Sequence, residues 1–153
     1  MKVLIVCHGN ICRSPMGEMM LKQKVKERNL SGFFIDSAAG SSEELGNSIY
    51  PPARRTLERH GVPYTDHRAR KMTKADYEAF DVILVMDEEN VRLLRRIVED
   101  KGNKVRKLLS YTKRGGDVAD PWYTGDFEVT YRDLDEGLDA FLDEWEREHG
   151  RKV

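Results

Sequence analysis

Val3-Leu4-Ile5-Val6-Cys7-His8-Gly9-Asn10-Ile11-Cys12-Arg13-Ser14-Pro15 is the stretch on which the reading of this chain turns. Its first four residues are continuously apolar and mostly β-branched, the pattern of a strand buried on both faces of a parallel sheet. Ser14-Pro15 reads as a helix start, with Ser14 as N-cap and Pro15 at the first helical position. Between strand and helix lies a short glycine-bearing loop with a cysteine at its mouth and an arginine at its end. The N–H groups of His8, Gly9, Asn10, Ile11 and Cys12 in such a loop can point inward at an oxyanion. Arg13 adds a planar, bidentate fork for phosphate oxygens, and the same positive field favours the thiolate form of Cys7. The arrangement reads as a thiolate facing a phosphoryl group, with phosphate or vanadate as its simplest occupants.

Working outward, strands alternate with helices. Phe33-Phe34-Ile35 reads as a second strand, followed by a loop of small and polar residues over 37–48. Pro51-Pro52 starts a helix that Gly61 stops, and 73–80 reads as a short helix. Asp81-Val82-Ile83-Leu84-Val85-Met86 is a second continuous apolar strand, and Asp87 caps the helix that carries Val91, Leu94 and Val98. Residues 105–109 form a shorter strand. The chain closes on an amphipathic helix in which Leu134, Leu138, Phe141, Leu142 and Trp145 share a face. This alternation predicts an α/β fold with a parallel sheet covered on both sides, and ligands in such sheets sit at the carboxyl ends of the strands. Cys7 lies at one of those ends.

The 153 residues are expected to form one domain, residues 1–153. The 26 Lys and Arg nearly cancel the 27 Asp and Glu, so no global field points to nucleic acid or to an anionic membrane. No stretch approaches a membrane span, and the short apolar run at the N-terminus lacks the form of a signal peptide. The two cysteines, Cys7 and Cys12, share one loop, which excludes a disulfide framework. A cytoplasmic monomer is expected.

Hydrolysis of a phosphomonoester needs a nucleophile, positive groups for the equatorial oxygens and an acid for the departing oxygen. Cys7 supplies the first as a phosphocysteine-forming thiolate, and the loop amides with Arg13 supply the second. Asp120, in Asp120-Pro121-Trp122-Tyr123, is the candidate acid; Pro121 biases it towards an extended conformation. Ser14 can donate a hydrogen bond to the Cys7 sulfur, and Trp122 and Tyr123 can wall the cleft against a flat substrate. No metal and no cofactor is called for.

The loop Cys-His-Gly-Asn-Ile-Cys-Arg-Ser-Pro after the first strand resembles the active-site loop of the low-molecular-weight protein tyrosine phosphatases. The resemblance extends in order through Asp36-Ser37-Ala38, His67-Arg68-Ala69-Arg70, residues 81–87 and Asp120-Pro121-Trp122-Tyr123. It implies a flavodoxin-like four-stranded parallel sheet with helices on both faces, and metal-free hydrolysis of phosphotyrosine in proteins. By position Cys7 matches the nucleophile, Arg13 the phosphate-binding arginine and Asp120 the general acid. Asn10 matches a residue that holds the loop in shape, with Ser37 and His67 as its partners. Cys12 matches a second cysteine that forms a protective disulfide with the nucleophile, a role that a neighbouring thiol can also fill on chemical grounds.

The chain departs from that pattern where many relatives carry an aromatic after the second strand; Glu43 stands there instead, suited to basic rather than acidic substrates. Ile11 favours a flat ring over the phosphoarginine expected of relatives with threonine there. Competing readings are a phosphoarginine phosphatase, an arsenate reductase (which needs relay cysteines this chain lacks) and a non-catalytic phospho-ligand binder. Plainer roles stand beside the catalytic ones: Asp87 as an N-cap, Asp120 as a turn residue before proline, Cys12 as a structural thiol.

Overall fold

The computed structural model describes residues 1–150. Its centre is a sheet of four parallel strands in the order β2-β1-β3-β4: β1 (Lys2–Cys7), β2 (Phe34–Ala39), β3 (Val82–Val85) and β4 (Val105–Lys107). Val3 pairs with Ile35 on one side and Val82 on the other, and Val6 with Ala38 and Val85. The flavodoxin-like α/β expectation holds, with helices on both faces. Alternation along β1 divides the core. Val3 and Ile5 face α1 (Arg13–Glu27) and α6 (Phe127–His149), through Met16, Met20, Leu134 and Leu138. Leu4 and Val6 face α3 (Lys74–Ala79) and α4 (Glu88–Arg95), through Tyr77 and Leu94. α2 (Pro51–Arg59) joins the first face through Ala53 and Leu57.

Three elements differ from the sequence reading. The second strand runs to Ala39, beyond Ile35, because its polar residues are satisfied in place: Asp36 pairs with Arg70 at 3.1 Å and Ser37 donates to Glu18 at 2.5 Å. The fourth strand stops at Lys107. Leu108 and Leu109 are both fully buried on the same face of the sheet, which successive strand residues cannot manage, and a 3-10 turn over Leu108–Tyr111 puts both there. α6 accommodates that turn at Gly137, where a Cβ would stand 2.6 Å from Leu108 Cγ. Ser14 is not the cap of α1: the helix already includes Arg13, Cys12 takes the cap position without a side-chain bond, and the Ser14 hydroxyl turns inward to the loop.

The topology fixes the site. From β1 the chain crosses to β2 on one side and later returns to β3 on the other, so neighbouring connections diverge at the carboxyl ends of β1 and β3. Cys7 ends β1, and Asp87 follows β3. Among the described residues no helix is long and apolar enough to cross a membrane.

Candidate active site

The loop from Cys7 to Arg13 curls around the Cys7 sulfur. The backbone N–H groups of Asn10 and Ser14 point at Sγ from 3.3 and 3.4 Å, and the Ser14 hydroxyl lies 3.1 Å away. The curl requires a left-handed residue at Asn10 (φ 61°), a conformation asparagine tolerates far better than most. Asn10 is fully buried and its amide is fully used. Nδ2 donates to Ser14 Oγ at 2.8 Å and to Ser37 Oγ at 3.0 Å, and Oδ1 accepts from the Arg70 N–H at 3.1 Å. The His67 ring meets the Asn10 carbonyl at 2.9 Å. Ser37 and His67 therefore both touch Asn10, the contacts that the family resemblance implied.

A residue the sequence reading missed closes this network. Glu18, on α1, is 5% exposed. Its carboxylate accepts from Ser37 Oγ at 2.5 Å and from Lys22 at 2.6 Å. A carboxylate only accepts, so the Ser37 proton goes to Glu18 and the Ser37 oxygen must take a proton from Asn10. The second Asn10 proton goes to Ser14 Oγ, which leaves the Ser14 proton for Cys7 Sγ or the more distant Ala38 carbonyl at 3.4 Å. Asn10→Ala removes three buried hydrogen bonds and puts a poorly suited residue at positive φ. At about 1–3 kcal/mol for each buried group left unpaired, it is expected to lower the unfolding free energy by about 2–4 kcal/mol, read by denaturant titration.

Arg13 is 3% exposed and is held from behind. One terminal nitrogen, Nη1, donates to Asp87 at 2.8 Å and to the Val118 carbonyl at 3.1 Å; the other, Nη2, reaches towards Asp120 at 3.4 Å. Burial opposes its charge, but Cys7, Asp87 and Asp120 outweigh burial and push its pKa up. Asp87 does cap α4, through the Asn90 N–H at 2.8 Å, and its second oxygen anchors Arg13, which the sequence reading did not foresee. Asp120 is extended (φ −88°, ψ 110°) before Pro121 and caps the four-residue α5 (Pro121–Thr124) through the Trp122 N–H at 3.0 Å.

The cleft above the loop is lined by Cys7, His8, Gly9, Ile11, Cys12 and Arg13, with Asp120, Trp122 and Tyr123 on one wall. Glu43, Glu44 and Glu89 also line it. The side chain of His8 lies at the mouth of the cleft, 2.8 Å from Glu43 and 3.5 Å from Glu89. Both cysteines are free thiols. Burial, with the charges of Cys7 and Asp120 adding to it, pushes the Cys12 pKa up to about 12, so Cys12 stays protonated at neutral pH and is no rival nucleophile.

A family model described as low molecular weight phosphotyrosine protein phosphatase matches residues 2–151. The chain belongs to that family. A low molecular weight phosphotyrosine protein phosphatase of Sus scrofa is 40% identical over 152 residues, covering 92% of this chain and 93% of the relative. Among solved structures, YfkJ from Bacillus subtilis superposes with a TM-score of 0.91 at 32% identity, over 99% of this chain and 97% of that one. A Drosophila arginine phosphatase, DARP, gives 0.86 at 32% identity, over 95% and 98%. The low molecular weight phosphatases are hydrolases of phosphoproteins, and the anion-shaped loop of this chain fits that chemistry.

Proposed function

We propose that this chain hydrolyses phosphotyrosine in proteins through a phosphocysteine, without a metal ion. The observation that carries the reading is the focus of donors on one sulfur: two backbone N–H groups and a hydroxyl converge on Cys7, with Arg13 and Asp120 at the same cleft.

In the first step the Cys7 thiolate attacks phosphorus in line with the tyrosine oxygen. The S–P bond forms, the P–O bond breaks, and Asp120, in its acid form, gives its proton to the departing oxygen. The loop N–H groups and the Arg13 fork hold the equatorial oxygens, where negative charge accumulates. Asp87 and the Val118 carbonyl fix one nitrogen of that fork, so the arginine arrives already oriented. In the second step the Asp120 carboxylate takes a proton from water, the water oxygen attacks phosphorus, and the S–P bond breaks to return the thiolate. A Ser14 proton directed at Cys7 stabilises the leaving sulfur.

Ile11 supports a ring as the group on phosphorus, because it gives the cleft an apolar side chain beside the phosphate loop. Phosphoarginine is the second reading, favoured by the three carboxylates at the rim and by the likeness to DARP. Peptides carrying each modification, compared side by side with a chelator present, decide between them. The expected result is a higher kcat/KM on phosphotyrosine; the reverse order would replace the substrate assigned here. Oxidation of Cys7 to a sulfenic acid by a peroxide lets the Cys12 thiol displace water and form a reversible disulfide. The same reading has the enzyme act in the cytoplasm, where its thiols stay reduced, as a single-domain monomer.

A further inference from the structure

Trp122 stands on the substrate-facing wall, yet its side chain is 60% exposed and α5, which carries it, is only four residues long. Such an element holds no side chain still by itself. Among the described residues, the one ring set against Trp122 is Tyr50, with centroids 5.4 Å apart and planes at 57°. Tyr50 does not line the cleft. Its other face is stacked on Phe127, at the start of α6, with centroids 6.1 Å apart.

The backbone of Tyr50 is immobilised from both sides. Its N–H donates to the carbonyl of Ile11, inside the phosphate loop, at 2.9 Å. Pro51 follows it and restricts it to the extended region it occupies (φ −57°, ψ 133°). Its carbonyl accepts from the N–H groups of Ala53 and Arg54, at 2.9 and 3.1 Å, at the start of α2. The ring also closes over the small apolar cluster of Ile11, Cys12 and Ala69. One residue thus ties the loop that grips phosphate to the ring that forms the opposite wall.

We propose that Tyr50 is a positioning residue that sets specificity for aromatic phosphoesters, holding Trp122 at a fixed distance from the phosphate loop so that a planar group fits between. The inference rests on the phosphatase reading and adds to it a residue outside the cleft. A wall that is already ordered costs the substrate no ordering entropy on binding, and this advantage goes only to substrates that touch the wall. It acts before the tyrosine leaves. Hydrolysis of the phosphocysteine follows departure of the ring and uses Asp120 of that wall but no longer the Trp122 ring.

The test uses Tyr50→Ala and the ring-conserving Tyr50→Phe in the full chain. Aromatic pairs contribute about 0.5–1.5 kcal/mol, so Tyr50→Ala is expected to raise KM for phosphotyrosine by about 2- to 10-fold. KM for an alkyl phosphate should not move, and Tyr50→Phe should restore the value for phosphotyrosine. Replacing Trp145 by Phe leaves Trp122 as the single tryptophan. In that background the fluorescence anisotropy of Trp122 should fall in Tyr50→Ala and recover in Tyr50→Phe. Inhibition by vanadate, which needs only the loop, reports that the site is folded. An unmoved phosphotyrosine KM with normal vanadate inhibition would overturn the inference. So would an equal rise for aryl and alkyl substrates, which places the effect in the loop. Absence of vanadate inhibition in the unsubstituted chain would instead count against the phosphatase reading.

Discussion

Cys7→Ser is expected to lower kcat on aryl phosphates by about 10⁴–10⁶, the scale seen when a catalytic nucleophile is removed. The substitution is nearly isosteric, and its environment is what makes the prediction sharp. The Asn10 and Ser14 N–H groups reach the sulfur from 3.3 and 3.4 Å, distances suited to a large, diffuse anion. A serine hydroxyl is smaller and keeps its proton, so the same donors face a neutral oxygen that attacks phosphorus poorly. Cys12 cannot substitute, because its thiol remains protonated. The loop, however, keeps its shape: Asn10 still holds Ser14 and Ser37, and Asp87 still holds Arg13. Vanadate or phosphate should therefore still bind the variant, measured by calorimetry. Turnover within tenfold of the unsubstituted enzyme would remove the covalent mechanism; loss of anion binding together with turnover would show a collapsed loop.

The features that were legible in the sequence are those written in adjacent residues. Val3 to Val6 announces a buried strand because parallel strands need no polar face, and the loop after it carries cysteine and arginine in one short run. The extended backbone of Asp120 was legible because proline follows it. What stayed hidden depends on partners far along the chain. Glu18 with Lys22 four residues later looks like a surface pair on a helix. It is buried because the first half of α1 lies against β2, and its partner Ser37 arrives from there. Asp87 satisfied the rule for an N-cap so well that its second oxygen was left without a task; only the meeting of β1 and β3 brings Arg13 to it. Ser14 shows the converse. The cap rule placed the helix start two residues late, and the hydroxyl has stronger claims from Asn10 and Cys7 than from its own helix. Tyr50 carries no motif at all, and its contact with Trp122 joins residues that the sequence keeps far apart.

Asp120→Asn is expected to lower kcat/KM on phenyl phosphate by about 10²–10⁴, the usual contribution of a positioned general acid. Asparagine is the informative replacement because Asp120 has two tasks. Its Oδ1 caps α5 by accepting from the Trp122 N–H at 3.0 Å, and an asparagine carbonyl can keep that bond. Alanine would lose it, at a cost of about 1 kcal/mol, and would free Trp122 as well, mixing a wall defect with an acid defect. The amide has no proton to give to a departing oxygen. The loss must therefore grow with the basicity of the leaving group: large for phenyl phosphate, small for a dinitrophenyl phosphate whose oxygen departs as a stable anion. Substitution also removes one of the charges that raise the Arg13 pKa, but Asp87 remains beside that guanidinium at 2.8 Å, so phosphate gripping persists and vanadate should still inhibit. A uniform loss across leaving groups would mean that Asp120 serves the cleft by position or charge and that the proton comes from another group. A loss confined to poorly departing groups would tie the proton to the residue whose extended backbone Pro121 enforces.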